Sequence, residues 1–228
     1  MKAVSSSKAF VGDGAAPPSG WRGATSAFLA TVAVTLLVSH PAAHGQATDR
    51  VTVVGAAGVS GKVVEVSPLA VEVETSDGAT QKVAIETIRD VQFGSEPQSL
   101  KNARSMLLRG RGADALGEVV KIEPGELEGA ESLVLAEVDF VKAAAAGRAA
   151  LDAGGDLAAA AKAVGGYLAK HPKSHHFFQM QELLGDLHAR AGRPEDAAAA
   201  YQQLEGGPPA LKVRAAAAKA GKIGRAHV

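Results

Sequence analysis

The sequence predicts an α+β protein in which a small antiparallel β domain precedes a longer helical domain. Between residues 48 and 94, apolar residues alternate with polar ones, which is the period of strands with one buried face. From residue 95 onwards, apolar residues recur every three or four positions, as they do on the buried face of α-helices. Alanine supplies much of the hydrophobic content and only 4% of residues are aromatic, so we expect closely packed helices around a thin core.

Residues 1–47 have the order of segments that is typical of a secretory signal peptide. A weakly basic start precedes the uncharged run AFLATVAVTLLV, and small residues follow, with Gly45 and Ala47 at the two positions before a cleavage point. We therefore expect cleavage after Ala47 and a periplasmic or secreted protein. The alternatives are a cut after Gly45 and an uncleaved membrane anchor, although the apolar run is shorter than the roughly 20 residues that a membrane span needs.

Five short strands separated by turn signals are predicted in residues 48–94. Asp77-Gly78 is the strongest hairpin signal, because glycine readily adopts the positive φ of tight hairpin turns. Five strands in so short a segment can bury one face only by curling, so we expect a small closed barrel. The predicted strands are residues 50–54, 60–67, 70–76, 80–85 and 88–93.

Three glycines near the start of this segment do not form a dinucleotide-binding motif. That motif needs G-x-G-x-x-G between a strand and a helix, whereas Gly55, Gly58 and Gly61 are spaced differently and precede the strand-like KVVEV. We interpret the glycines as a flexible hairpin loop.

The order of strands and turns from Gly61 to Phe93 resembles the small SH3-like and Sm-like barrels. Sm-like barrels that bind RNA carry characteristic loops, but the corresponding loops here are Ser67-Pro68-Leu69 and Glu86-Thr87. RNA binding is therefore not implied by the resemblance, and we expect this domain to be structural or to contact protein.

Two helices joined by a tight turn are predicted between Phe178 and Leu204. Gly192 can end the first helix in the left-handed conformation, and Pro194 suits the first turn of the second helix. Gly185 in the first helix and Ala197 in the second are small residues that let the two backbones approach closely. The same pattern of glycine, arginine, aspartate and alanine recurs upstream in GRGADAL, and Ser95 is the predicted N-cap of the helix that precedes this second copy of the hairpin. A third copy surrounds Gly155, where a further helix is predicted to end.

These helical hairpins resemble tetratricopeptide repeats over residues 95–222. Gly185, Ala197, Tyr201, Leu204 and Pro209 occupy the small, alanine, two large apolar and closing proline positions of that family. The earlier copies are degenerate, since the middle one has arginine at the small position and the first lacks the proline. The resemblance implies an α-helical solenoid whose first helices line a concave peptide groove. The groove residues that it implies are Asn102, Met106, Gln181, Asp186, His188 and Arg190.

No catalytic motif stands out, and we expect no enzyme activity, no cofactor and no metal. The chain has no cysteine, which excludes disulfides and thiolate metal sites. Four histidines are close in sequence but lack the spacing of metal ligands, so we interpret them as exposed loop and helix-start residues. They are His171, His175, His176 and His188. We also interpret Glu118, Glu137 and Asp139 as solvated helix residues, and Arg104, Arg109 and Arg111 as a small basic patch on a solvated turn.

The function that the sequence favours is an extracytoplasmic protein–protein interaction scaffold with an unidentified protein or peptide partner. The balance of 24 basic and 24 acidic residues argues against nucleic acid, and membrane contact is expected only through an uncleaved signal segment. One alternative is a self-assembling structural subunit of the cell envelope. Another is a nucleic-acid-binding or glycan-binding barrel, although Phe93 is the only aromatic residue in residues 48–94.

The last six residues, 223–228, look like an artefact. A DNA string that encodes them matches a widely used sequencing adapter, and they follow a helix that ends mid-repeat. We hypothesise that they are read-through from a truncated gene, which independent sequencing of the locus would test.

Overall fold

The computed structural model describes residues 48–219, and the first elements in that range are five antiparallel strands. Each predicted strand forms within one or two residues of its expected bounds. The strands lie side by side in the order β4-β3-β2-β1-β5. Their bounds are β1 Asp49–Val53, β2 Val59–Val66, β3 Ala70–Glu74, β4 Thr80–Ala84 and β5 Ile88–Gln92.

The sheet is open, so the predicted closed barrel is wrong. Strands β4 and β5 are its two edges, and one 3-10 turn, Ile85–Thr87, leads from β4 to β5 on the opposite edge. The buried valines of the sheet, such as Val51 and Val71, belong to one hydrophobic cluster with helical residues such as Leu100 and Val134. Because the valine face finds apolar neighbours in the helical part, its burial does not require β4 to pair with β5.

Gly61 is part of a regular strand, so its interpretation as a residue of a flexible loop is wrong. It lies within β2 opposite Asp49 of β1. A Cβ atom added at Gly61 would be 2.2 Å from the carbonyl oxygen of Glu74 in β3. Glycine is needed here because the neighbouring backbone leaves no room for a side chain.

Seven α-helices follow within the described range. Consecutive helices pack against each other, and α3 also packs against α1 and α5. None of these helices is long and apolar enough to cross a membrane. The bounds are α1 Gln98–Leu108, α2 Gly112–Val119, α3 Ser132–Ala153, α4 Leu157–Lys170, α5 Phe177–Arg190, α6 Pro194–Gln202 and α7 Pro209–Lys219. The predicted signal peptide and the suspected artefact at 223–228 lie outside the described residues.

The ends of several helices follow the predicted signals, with two corrections. Gly192 has a φ of 71° after α5, and Pro194 is the first residue of α6, as predicted. The N-cap of α1 is Pro97 rather than Ser95. The residue that ends α3 in the left-handed conformation is Gly154, one position before the predicted Gly155.

Gly185 lies against the side chain of Tyr201 in α6, rather than against the backbone as predicted, and gives a matched pair of expected results. A Cβ atom at Gly185 would lie 2.5 Å from Cε1 of the buried Tyr201 ring, whereas a Cβ atom at Gly165 in α4 meets nothing within 4 Å. We expect Gly185→Ala to lower the free energy of unfolding by about 1–3 kcal/mol through overpacking. We expect Gly165→Ala to raise it by about 0.5–1 kcal/mol, because alanine favours the helix.

Urea denaturation of both variants measures these two changes. If Gly185→Ala stabilised the protein as Gly165→Ala does, the contact between α5 and α6 would be looser than described here.

Candidate functional site

A buried cluster of charges lies between the end of the sheet and helices α1 and α3. The Arg104 side chain on α1 is only 5% exposed and contacts three carboxylates. Its Nε is 2.9 Å from Oδ1 of Asp90, its Nη1 is 3.3 Å from Oε1 of Glu137, and its Nη2 is paired with Oε1 of Glu96. When all four groups are ionised, three carboxylates and one guanidinium leave two negative charges in excess.

The surroundings shift the pKa values of the two most buried carboxylates in opposite directions. Burial raises the pKa of Glu96 and outweighs the hydrogen bond that it accepts from Arg104. Burial alone would raise the pKa of Glu137 as well, but the charge and hydrogen bond of His176, together with His175 and Arg104, hold that pKa at about 2. Glu137 is therefore an ionised carboxylate in the interior at neutral pH.

Two adjacent histidines before α5 complete this cluster, and their interpretation as exposed residues is wrong. Nε2 of His176 is 2.9 Å from Oε2 of Glu137, and its Nδ1 is 3.3 Å from Oε1 of Gln179. The His176 ring stacks on Phe140 with the ring centres 3.4 Å apart. His175 is 8% exposed, and its buried Nε2 has no hydrogen-bond partner among residues 48–219. Burial and the neighbouring His176 lower the pKa of His175 to about 3, so its imidazole is neutral.

The loop between α4 and α5 holds the two histidines in place. The Tyr167 hydroxyl at the end of α4 donates a hydrogen bond to Oγ of Ser174 over 2.6 Å. The same Oγ accepts a hydrogen bond from the backbone N–H of His176 at 3.1 Å. This bridge fixes the turn that precedes α5, and it directs both imidazoles towards α3.

A cavity of about 750 Å³ opens beside the cluster, and Arg104, His175 and His176 are part of its wall. Its wall includes residues of β5 and of α1, α3, α5 and α7. The wall mixes apolar side chains, such as Leu107, Leu108 and Leu183, with charged ones, such as Arg89 and Arg148. A cavity of this size and mixed character can hold a short stretch of peptide or a small molecule.

None of the six groove residues implied by the repeat resemblance is part of the wall of this cavity. Asn102 donates a hydrogen bond to Glu118 and accepts one from Gln98. Asp186 accepts hydrogen bonds from Tyr201 and Arg214, so it connects α5 with α6 and α7. The remaining four are exposed or partly buried: Met106, Gln181, His188 and Arg190. Nothing in their placement tests peptide binding, so their role stays a prediction.

The interpretations of Arg104 and Glu137 as solvated residues are wrong, and the sequence contains a signal that identifies their burial. Arg104 occupies a position of the apolar stripe of α1 formed by Leu100, Ala103 and Leu107. Glu137 occupies the equivalent position between Val134 and Val138 on α3. Opposite charges on the buried stripes of two helices indicate a buried ion pair, because an unpaired charge there would be very costly.

The chain matches no family model, no curated protein and no solved structure.

Proposed function

We propose that this protein is an extracytoplasmic scaffold that binds an extended peptide segment of a partner protein in the cavity beside β5. The observation that carries the proposal is that consecutive residues of an edge strand, Ile88 to Val91, border the cavity. Neighbouring residues of a strand point to opposite faces of the sheet. A cavity that touches all four therefore faces the edge of the strand rather than one of its faces.

The edge of β5 suits the addition of a further strand. β5 pairs with β1 on one side, and no strand in residues 48–219 pairs with its other side. Such an edge presents backbone N–H and C=O groups that an extended peptide can pair with, while pockets nearby select its side chains. Leu107, Leu108 and Leu183 also line the cavity and supply an apolar surface on which alternate side chains of a bound peptide would pack.

The packing of the helices supports a repeat-like arrangement behind this site. Helices α1, α3 and α5 pack side by side, as the first helices of stacked hairpins do, and the consecutive contacts from α1 to α7 are those of a chain of hairpins. A tetratricopeptide-like solenoid and an extracytoplasmic location are parts of this proposal. Fusion of residues 1–47 to a reporter that is active only outside the cytoplasm tests the location.

We expect Leu108→Arg to weaken peptide binding about tenfold or more, because it places a charge on the apolar wall. Leu108 is 55% exposed, so the substitution leaves the core intact. The peptides are selected on the full chain from a random 12-residue display library, and their affinity is measured by fluorescence anisotropy. Leu69→Arg is the matched control, since Leu69 is 53% exposed and lies in the turn between β2 and β3.

Methylation of the backbone nitrogens of a selected peptide tests the strand pairing itself. An added strand uses the N–H groups of alternate residues, so methylation of one alternate set should abolish binding and methylation of the other should be tolerated. Equal effects of both sets, or equal affinities of the Leu108→Arg and Leu69→Arg variants, would contradict the proposal.

A further inference from the structure

We propose that Glu137, His175 and His176 form a binding site for a divalent transition-metal ion of the zinc class. The three side chains each offer one donor atom, and these atoms all lie within 4.8 Å of one another. Two imidazoles and one carboxylate are a ligand set that zinc uses in proteins, with the fourth position open. This inference is independent of the proposed peptide binding.

The unpartnered Nε2 of His175 is the first observation that points to a ligand. This nitrogen is buried and accepts or donates no hydrogen bond within the described part of the chain. A buried polar atom without a partner is uncommon in folded proteins and is a frequent sign of a missing ion or water. The neutral imidazole of His175 is also the form that binds a metal.

The two partners of His176 are the second observation. Its Nδ1 faces Oε1 of Gln179 and its Nε2 faces Oε2 of Glu137, and both of these oxygens are acceptors. A metal ion bound at Nε2 would take over the contact with Glu137, while Nδ1 would keep its contact with Gln179. In metal sites, the ring nitrogen of a histidine that does not bind the metal usually donates a hydrogen bond that orients the ring. A hydrogen bond from Nδ1 of His176 to Gln179 would have this role and leave Nε2 for the metal.

The second oxygen of Glu137 is the carboxylate ligand that the site offers. Arg104 contacts Oε1 of Glu137, whereas Oε2 faces His176. Donors of tetrahedral zinc lie about 3.3 Å apart, so side-chain shifts of about 1.5 Å suffice to surround the ion.

The ion would be reached from the cavity, since His175 and His176 are both part of its wall. The open fourth position would accept water or an oxygen, nitrogen or sulfur atom of a ligand in the cavity. Within the described residues, Glu137 and the two histidines are the group of three such side chains whose donor atoms lie this close together.

Titration of the full chain with zinc chloride, after removal of bound metal by a chelator, tests the proposal. We expect one zinc ion per chain, and a loss of affinity greater than about 100-fold in His175→Gln, because even outer-contact changes lower metal affinity about 10–100-fold. His175→Gln removes no hydrogen bond of Nε2 and no buried charge, so the fold should persist, and far-UV circular dichroism checks this. Gln179→Ala should lower the affinity about 10–100-fold.

His188→Gln is the matched control, because His188 is a partly buried histidine outside the cluster with a ring nitrogen that has no partner among residues 48–219. Its zinc affinity should equal that of the unmodified protein. Cobalt chloride gives a second measurement, since cobalt in the site should show the absorption of a tetrahedral complex and lose it in His175→Gln. Absence of stoichiometric zinc binding, or equal binding by the His175→Gln and His188→Gln variants, would overturn the proposal.

Discussion

Replacement of Arg104 by methionine is expected to lower the free energy of unfolding by about 3–5 kcal/mol. The guanidinium is buried and is the shared partner of Asp90, Glu96 and Glu137. Methionine fills a similar volume but leaves these carboxylates without their cation, and breaking one side of a buried ion pair has costs of this size. Urea denaturation in the presence of a chelator measures the change without any contribution from bound metal.

Arg109→Met controls for the loss of an arginine close to Arg104 in the sequence. Arg109 is exposed after α1, so we expect a change within about 0.5 kcal/mol. Adding Glu96→Gln to Arg104→Met should restore part of the lost stability, because the second substitution removes one of the carboxylates that have lost their guanidinium partner. If Arg104→Met is no more destabilising than Arg109→Met, the cluster does not stabilise the fold through its ion pairs.

The local structure of this chain could be predicted well because it depends on short-range signals. The alternation of valines located the strands, and glycine and proline located the turn between α5 and α6, since each acts through its own backbone geometry. The closed barrel was wrong for a different reason. Whether a sheet closes depends on what else covers its apolar face, and here residues such as Leu100 and Val134 come from helices further along the chain.

The candidate site was missed because its residues are brought together only by the tertiary fold. Glu137 is separated from Arg104 by 33 positions and from His176 by 39. Two histidine ligands on one helix have i, i+4 spacing, which these histidines lack, whereas the proposed ligand set combines the loop before α5 with a carboxylate on α3. The charged residues on the apolar stripes of α1 and α3 were the available signal. Because both stripes are buried, neither Arg104 nor Glu137 is solvated.

The hairpin of α5 and α6 depends on Tyr201 more than on any polar contact that it makes. We expect Tyr201→Ala to lower the free energy of unfolding by about 3–5 kcal/mol, as large-to-small changes of buried aromatic residues do. The ring is 1% exposed and packs with Phe178 and Leu204. Its hydroxyl donates a 2.6 Å hydrogen bond to Asp186, which also accepts one from Arg214 of α7.

Tyr201→Phe removes the hydroxyl and keeps the ring, so it separates their two contributions to stability. We expect the free energy of unfolding of this variant to fall by only about 1 kcal/mol, because Asp186 keeps its contact with Arg214 and the ring still fills its space.

The effects of Gly185→Ala and Tyr201→Ala on the free energy of unfolding should not be additive. Gly185→Ala is costly because of the ring, so its cost should vanish in the Tyr201→Ala background, where the added methyl group partly fills the cavity. Additive losses in the double variant would mean that Gly185 and Tyr201 stabilise the hairpin independently, against the direct contact described here.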